Sequence, residues 1–109
     1  MTFINKNSIM IGSDLIGKCV IVRCDRAGVF FGELAQRDGQ EVELKDARRL
    51  WYWDGAASIS QIAAEGVKKP KNCKFTVTVE SIVLLDAIEV IPCTKKAITN
   101  INNVHVWGS

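Results

Sequence analysis

The chain has 109 residues, 48% hydrophobic and 24% charged, with 14 Lys plus Arg against 12 Asp plus Glu for a net charge of +2. That length suits one domain with a core large enough to need no staples, and the composition excludes disorder, collagen and coiled coil. No stretch approaches the roughly 20 apolar residues of a membrane span, and MTFINKNSIMIG lacks the apolar block of a signal peptide, so a cytoplasmic protein without a membrane partner is expected.

The four cysteines, Cys19, Cys24, Cys73 and Cys93, form no C-x-x-C pair, and His105 is the single histidine. Clustered ligands at short spacing are what a zinc site requires, so neither a metal nor a cofactor is expected. Cys19 and Cys24, five apart on an expected strand, point to opposite faces. All four read as reduced thiols packed as small hydrophobes.

From Gly17 the pattern is β. KCVIVRC (Lys18 to Cys24) sets Val20, Val22 and Cys24 on one face and Cys19, Ile21 and Arg23 on the other. Asp25 to Gly28 reads as a turn, and VFFGELAQR resumes extended chain with a bend expected at Gly32. Asp38-Gly39 signals a hairpin. EVELKD then places Val42 and Leu44 inward, and ARRLWYW is expected to continue as a further strand. Ser58 with Gln61 three residues on matches a capping box, and Gly66 stands where a helix stops, predicting a helix over Ile59 to Glu65. KFTVTVESI alternates cleanly, with Phe75, Val77 and Val79 on one face. AIEVIPC is the last strand, ended by Pro92. Thr94 caps a short helix through KKAITNI, and VHVW adds an edge strand or packs down.

These short strands and a bend-forming glycine predict a mainly β fold, a small SH3-like barrel of about five strands with one inserted short helix and a short C-terminal helix. The whole of 1–109 reads as a single domain: a barrel over about 17–93, a helical insertion over about 54–74 and an extension over 94–109. The order G-K-x-V-x-V, turn, strand with internal glycine, D-G, V-x-L and a late I-x-V-I resembles the Sm-like variant of that barrel. It has no clear match to that family's RNA-binding loops and differs from it by the inserted helix.

The stretch KDARRLWYWDGAASISQ, Lys45 to Gln61, concentrates the chemistry. On a strand, Arg49, Trp51 and Trp53 share one face and Arg48, Leu50 and Tyr52 the other, so one arginine lies beside two indoles, able to pair a phosphate and stack a base. Gly55, Ala56 and Ala57 leave the backbone approachable. A helix start at Ser58 offers unpaired N–H groups to an anion, with Ser60 and Gln61 adding polar side chains. The candidate ligand-binding set is therefore Arg48, Arg49, Trp51, Trp53, Ala56, Ala57, Ser58, Ser60 and Gln61. The competing structural reading has the aromatics as core and lid, Ser58 and Gln61 as caps, and the arginines paired with Asp46 or Asp54. No catalytic residue is expected, because no nucleophile stands with a base and no carboxylate pair is set apart.

The text from Gly17 to Phe75, GKCVIVRCDRAGVFFGELAQRDGQEVELKDARRLWYWDGAASISQIAAEGVKKPKNCKF, followed by AIEVIPCT, resembles a family of small proteins encoded by bacteriophages and prophages and catalogued as a domain of unknown function. The resemblance implies a cytoplasmic accessory protein of a phage or prophage. Three readings follow: a non-enzymatic protein that captures a phosphorylated, nucleotide-like small molecule, sequestering a host immune signal; an Sm-like single-stranded nucleic-acid binder using Lys68, Lys69, Lys71 and Lys74; or an inhibitor that docks on a host protein through the Trp-Tyr-Trp patch. A homo-oligomer formed through strand edges is compatible with each. Exposure separates them, since concave aromatics suit a small ligand and protruding ones a partner.

Overall fold

The computed structural model describes residues 11–108; the expectation that the chain start carries no signal peptide falls on residues 1–10 and lies outside them. The protein is mainly β, six antiparallel strands and two helices. The strands are β1 (Cys19–Cys24), β2 (Val29–Asp38), β3 (Glu41–Tyr52), β4 (Lys74–Phe75), β5 (Val79–Leu84) and β6 (Ala87–Pro92), and the helices are α1 (Ile59–Glu65) and α2 (Lys95–Asn103).

The pairing path runs β4-β3-β2-β1-β6, with β5 also pairing β3. No ladder among the described residues joins β5 to β6, so the sheet does not close as the expected five-stranded barrel would. Leu85 and Asp86 alone link these two strands, which pair with β3 and β1 respectively. The Asp86 carbonyl accepts from the Asp25 N–H at 3.0 Å, tying that corner to the β1–β2 turn.

ARRLWYW is not a separate strand. It continues EVELKD across a bulge: Phe31 pairs with Arg48 and Glu33 with Lys45, so Asp46 and Ala47 together oppose the single Gly32. Asp46 adopts φ 50°, a conformation few non-glycine residues take. A Cβ on Gly32 would lie 3.0 Å from the Lys45 carbonyl oxygen and 3.2 Å from the Ala47 Cα, so the bulge needs glycine opposite it. The bulge resets the alternation, and Ala47 follows Val42 and Leu44 into the same core.

KFTVTVESI is also not one strand. It breaks between β4 and β5, and of the three residues expected to share a face only Phe75 is buried; Val77 and Val79 are 60% and 41% exposed. At the break the Thr76 N–H donates to the Arg49 carbonyl at 3.0 Å, while the Thr76 hydroxyl accepts from the Arg49 N–H at 3.0 Å.

Both sides of the sheet are apolar, which is why β1 reads as nearly continuous hydrophobic sequence. Val20, Val22, Phe30, Leu34, Leu44 and Leu84 fill the concave side of the bent sheet. Ile21, Phe31, Leu50 and Phe75 face the other way, against Ile62 and Ala63 of α1 and Ala97 and Ile101 of α2. Thr94 docks the two helices: its side chain accepts from the Ala97 N–H and donates to the Ala64 carbonyl at 2.7 Å. No helix among the described residues is long and apolar enough to cross a membrane.

Candidate functional site

The predicted site residues divide into three groups. Arg48 is 4% exposed and faces the helix side. Its Nε donates to the Thr76 carbonyl at 2.8 Å, Nη1 to Ile101 at 2.8 Å, and Nη2 to His105 at 2.9 Å and Phe75 at 3.3 Å. The guanidinium carbon lies 5.5 Å from the Phe75 ring centroid. Burial alone lowers the Arg48 pKa from its ordinary value. Arg48 is thus a clasp between the β4 region and the chain after α2, with its donors already engaged.

The second group is the segment around α1. Ser58 caps the helix, accepting from the Gln61 N–H at 3.2 Å. The Gln61 Oε1 accepts from the Ala57 N–H at 2.8 Å, and its Nε2 donates to Glu65. Ser58 therefore caps α1 as expected, while Gln61 reaches back one residue beyond it, to Ala57, so the Gln61 and Ala57 N–H groups are engaged. Gly55 is closely approached, but by the chain itself: a Cβ there would lie 2.5 Å from the Lys69 nitrogen. Ala56 and Trp53 pack partly buried against the helix-side core, and Ser60 is exposed.

Arg49 and Trp51 form the third group, near the end of β3. Exposure rises along the strand from buried Ala47 through half-buried Arg49 to Trp51, which is 58% exposed. Leu50 pairs with Phe75 and Tyr52 with Lys74, so Trp51 is the extra residue of a second bulge that interrupts the alternation, and Lys74 stands opposite Tyr52. Thr76 stands beside Arg49. The Trp51 ring stacks on Trp107 with centroids 5.2 Å apart and planes 13° from parallel. The Lys74 Nζ lies 5.2 Å from the Trp51 centroid, 5.6 Å from Trp107 and 5.7 Å from Tyr52. Trp107 is 40% and Tyr52 48% exposed.

Neither arginine pairs with Asp46 or Asp54, contrary to the structural reading of the sequence. The one ion pair among the described residues is Arg23 with Glu89 at 3.0 Å, and Asp54 accepts from Asn72 instead. Lys74 and Trp107 were missing from the predicted set. Trp107 reaches β4 through a parallel bridge from Val106 to Phe75 and a 2.8 Å bond from its own N–H to the Phe75 carbonyl. The expectation that VHVW packs as an edge was the only sequence signal for it.

All four cysteines are free. Cys19 packs on the helix side and Cys24 on the concave side, the opposite faces that their spacing implies. Burial, then Asp86, pushes Cys24 up to about 11, and burial, then Cys19, pushes Cys93 up to about 12.

Fold and site together define a small antiparallel β protein with two helices on one side of its sheet and an exposed aromatic and cationic face at one end of β3. A family model described as a domain of unknown function (DUF6948) matches residues 17–101, and the chain belongs to that family. No curated protein matches the sequence.

Proposed function

We propose that this is a non-enzymatic binding protein that docks on a protein partner through the face formed by Arg49, Trp51, Tyr52, Lys74 and Trp107. The observation that carries the reading is the Trp51–Trp107 stack, which stays exposed while lining none of the clefts of about 490, 230, 580 and 210 Å³. A small ligand is normally held in a concavity that covers most of its surface. Partially exposed Trp, Tyr and Arg side chains on an open surface are the residue types that dominate protein interfaces. Each indole already covers one face of the other, so a partner buries the stack as a unit without separating it. The raised pKa values of Cys24 and Cys93, which keep those thiols protonated, support a non-enzymatic role.

The nucleotide-binding reading keeps one specific support, that Arg49 and Trp51 both reach the surface near the end of β3. The reading of the sheet as an opened Sm-like barrel is supported by the order β5-β3-β2-β1-β6 and the two-residue link between β5 and β6. Placement as a cytoplasmic accessory protein of a phage or prophage rests on the resemblance of residues 17 to 94.

A photo-crosslinking residue at position 52, introduced in the producing cell, tests the proposal. The expected adduct is one protein, whose purified form binds the chain and loses at least about 2 kcal/mol, roughly thirtyfold, on Trp51→Ala. Adducts to nucleic acid with steeply salt-dependent binding would transfer support to the nucleic-acid reading. Protein binding indifferent to Trp51→Ala and Trp107→Ala would refute the docking face.

A further inference from the structure

Arg49 differs from its neighbour in what it leaves unused. Its Nη1 donates to the Ala27 carbonyl at 2.5 Å, and its guanidinium carbon lies 4.4 Å from the Phe30 ring centroid. Those two contacts fix the side chain, so little rotamer freedom remains to be lost when an anion arrives. No carboxylate pairs with it among the described residues, and Nε and Nη2 have no acceptor there. Asp86 and Arg49 both act on Cys24, and the Asp86 carboxylate accepts from the Arg26 N–H.

Arg49 lines a cleft of about 210 Å³ at the end of the concave core, with Phe30, Thr76, Val77, Val79 and Ile82. That space is below the range of roughly 300–1,000 Å³ that holds a whole cofactor-sized ligand, but a cavity of about 150 Å³ admits a benzene-sized group. It suits one aliphatic side chain. The half-buried or exposed valines and isoleucine supply apolar contact, and the open edge of the guanidinium supplies two parallel donors for a carboxylate.

We infer that the Arg49 cleft receives the C-terminal residue of a protein chain ending in Leu, Ile or Val, its α-carboxylate on Arg49 and its side chain against Val77, Val79 and Ile82. A chain terminus carries a carboxylate and a branched apolar group on one carbon. An Asp or Glu side chain has the charge without the apolar group. As to its biological occupant, the inference rests on the protein-partner reading above; the cleft's chemistry is testable apart from it.

The probe is N-acetyl-leucine, titrated into isotopically labelled full-length protein and followed by NMR, with N-acetyl-leucinamide and inorganic phosphate as controls. The expected result is saturable shifts at the Val77, Val79 and Ile82 methyls and at the Arg49 Nε–H, with affinity at least about tenfold weaker in Arg49→Gln. Val79→Glu, on an exposed position, supplies a carboxylate in cis and should abolish binding even if Arg49→Gln fails to fold. Equal binding of the amide, phosphate shifts confined to Arg49 that match those of N-acetyl-leucine, or no saturable shift at all would each overturn the inference. N-acetyl-leucine binding retained in Trp51→Ala, with partner binding indifferent to that change, would refute the aromatic docking face and leave the cleft standing.

Discussion

Removing the Arg48 side chain takes a donor from four backbone carbonyls: Phe75 and Ile101 keep the Trp107 and Val104 N–H groups, while Thr76 and His105, in part-buried positions, lose the Arg48 donor outright. A buried acceptor left without a donor costs its desolvation, so Arg48→Ala is expected to destabilise by about 3 kcal/mol or more, read as a lower urea midpoint. Arg48→Lys recovers less than half of that, because one ammonium cannot reach four acceptors spread around a planar fork. At Cys93 the folded pKa of about 12 lies above the ordinary 9.0. The unfolded thiol therefore ionises first, the unfolded state binds fewer protons above 9.0, and this contribution to stability falls as pH rises from 9.0 toward 12. Stability of Cys93→Ala should decline less steeply across that window than that of the parent, measured by urea unfolding at several pH values. The two arginines were legible as special residues, but adjacency in sequence hid their opposite roles. One faces the helices and is consumed by carbonyls; the other faces the concave side and retains donors.

Among the elements, α1 was legible to the residue because its signals are local. Ser58, Gln61 and Gly66 act within two turns: Ser58 and Gly66 take the predicted cap roles, and Gln61 reaches back to the Ala57 N–H in place of that of Ser58. The small residues before it were read as room for a ligand, and at Gly55 that room is taken by Lys68 and Lys69. Gly55 has φ 87°, and a Cβ would meet the Lys69 nitrogen at 2.5 Å. Gly55→Ala is expected to cost about 2 kcal/mol or more by thermal or urea unfolding, whereas Ser58→Ala should cost about 1. If Gly55→Ala were neutral, the segment would be loose enough to admit a ligand. The break in KFTVTVESI was not legible, because alternation shows that a strand has two distinct faces and says nothing about where a partner strand ends. Here β3 has two successive partners, β4 near its end and β5 along its first part.

At the scale of the whole molecule, the Trp51–Trp107 stack joins the end of β3 to the last residues of the chain. Stacked indoles give an exciton couplet in circular dichroism, which Trp51→Ala and Trp107→Ala should each abolish. Both rings are substantially exposed, so each substitution should cost no more than about 1.5 kcal/mol and leave the fold intact. Loss of folding in either variant would mean that the stack is part of the core.

Local chemistry in the sequence was sufficient for the mainly β character, the hairpin at Asp38-Gly39, the bounds of helix α1 and the faces of β1. Each depends on neighbours within a few residues or on a strict period of two. What lay beyond that reach was set by the folded chain. The bulge opposite Gly32 resets which side residues after Asp46 face, the open sheet follows from which strands pair, and the aromatic face needs Trp107 brought to Trp51 from 56 positions away. Long-range pairing depends on the packing of both sheet faces at once, and no local window contains that information.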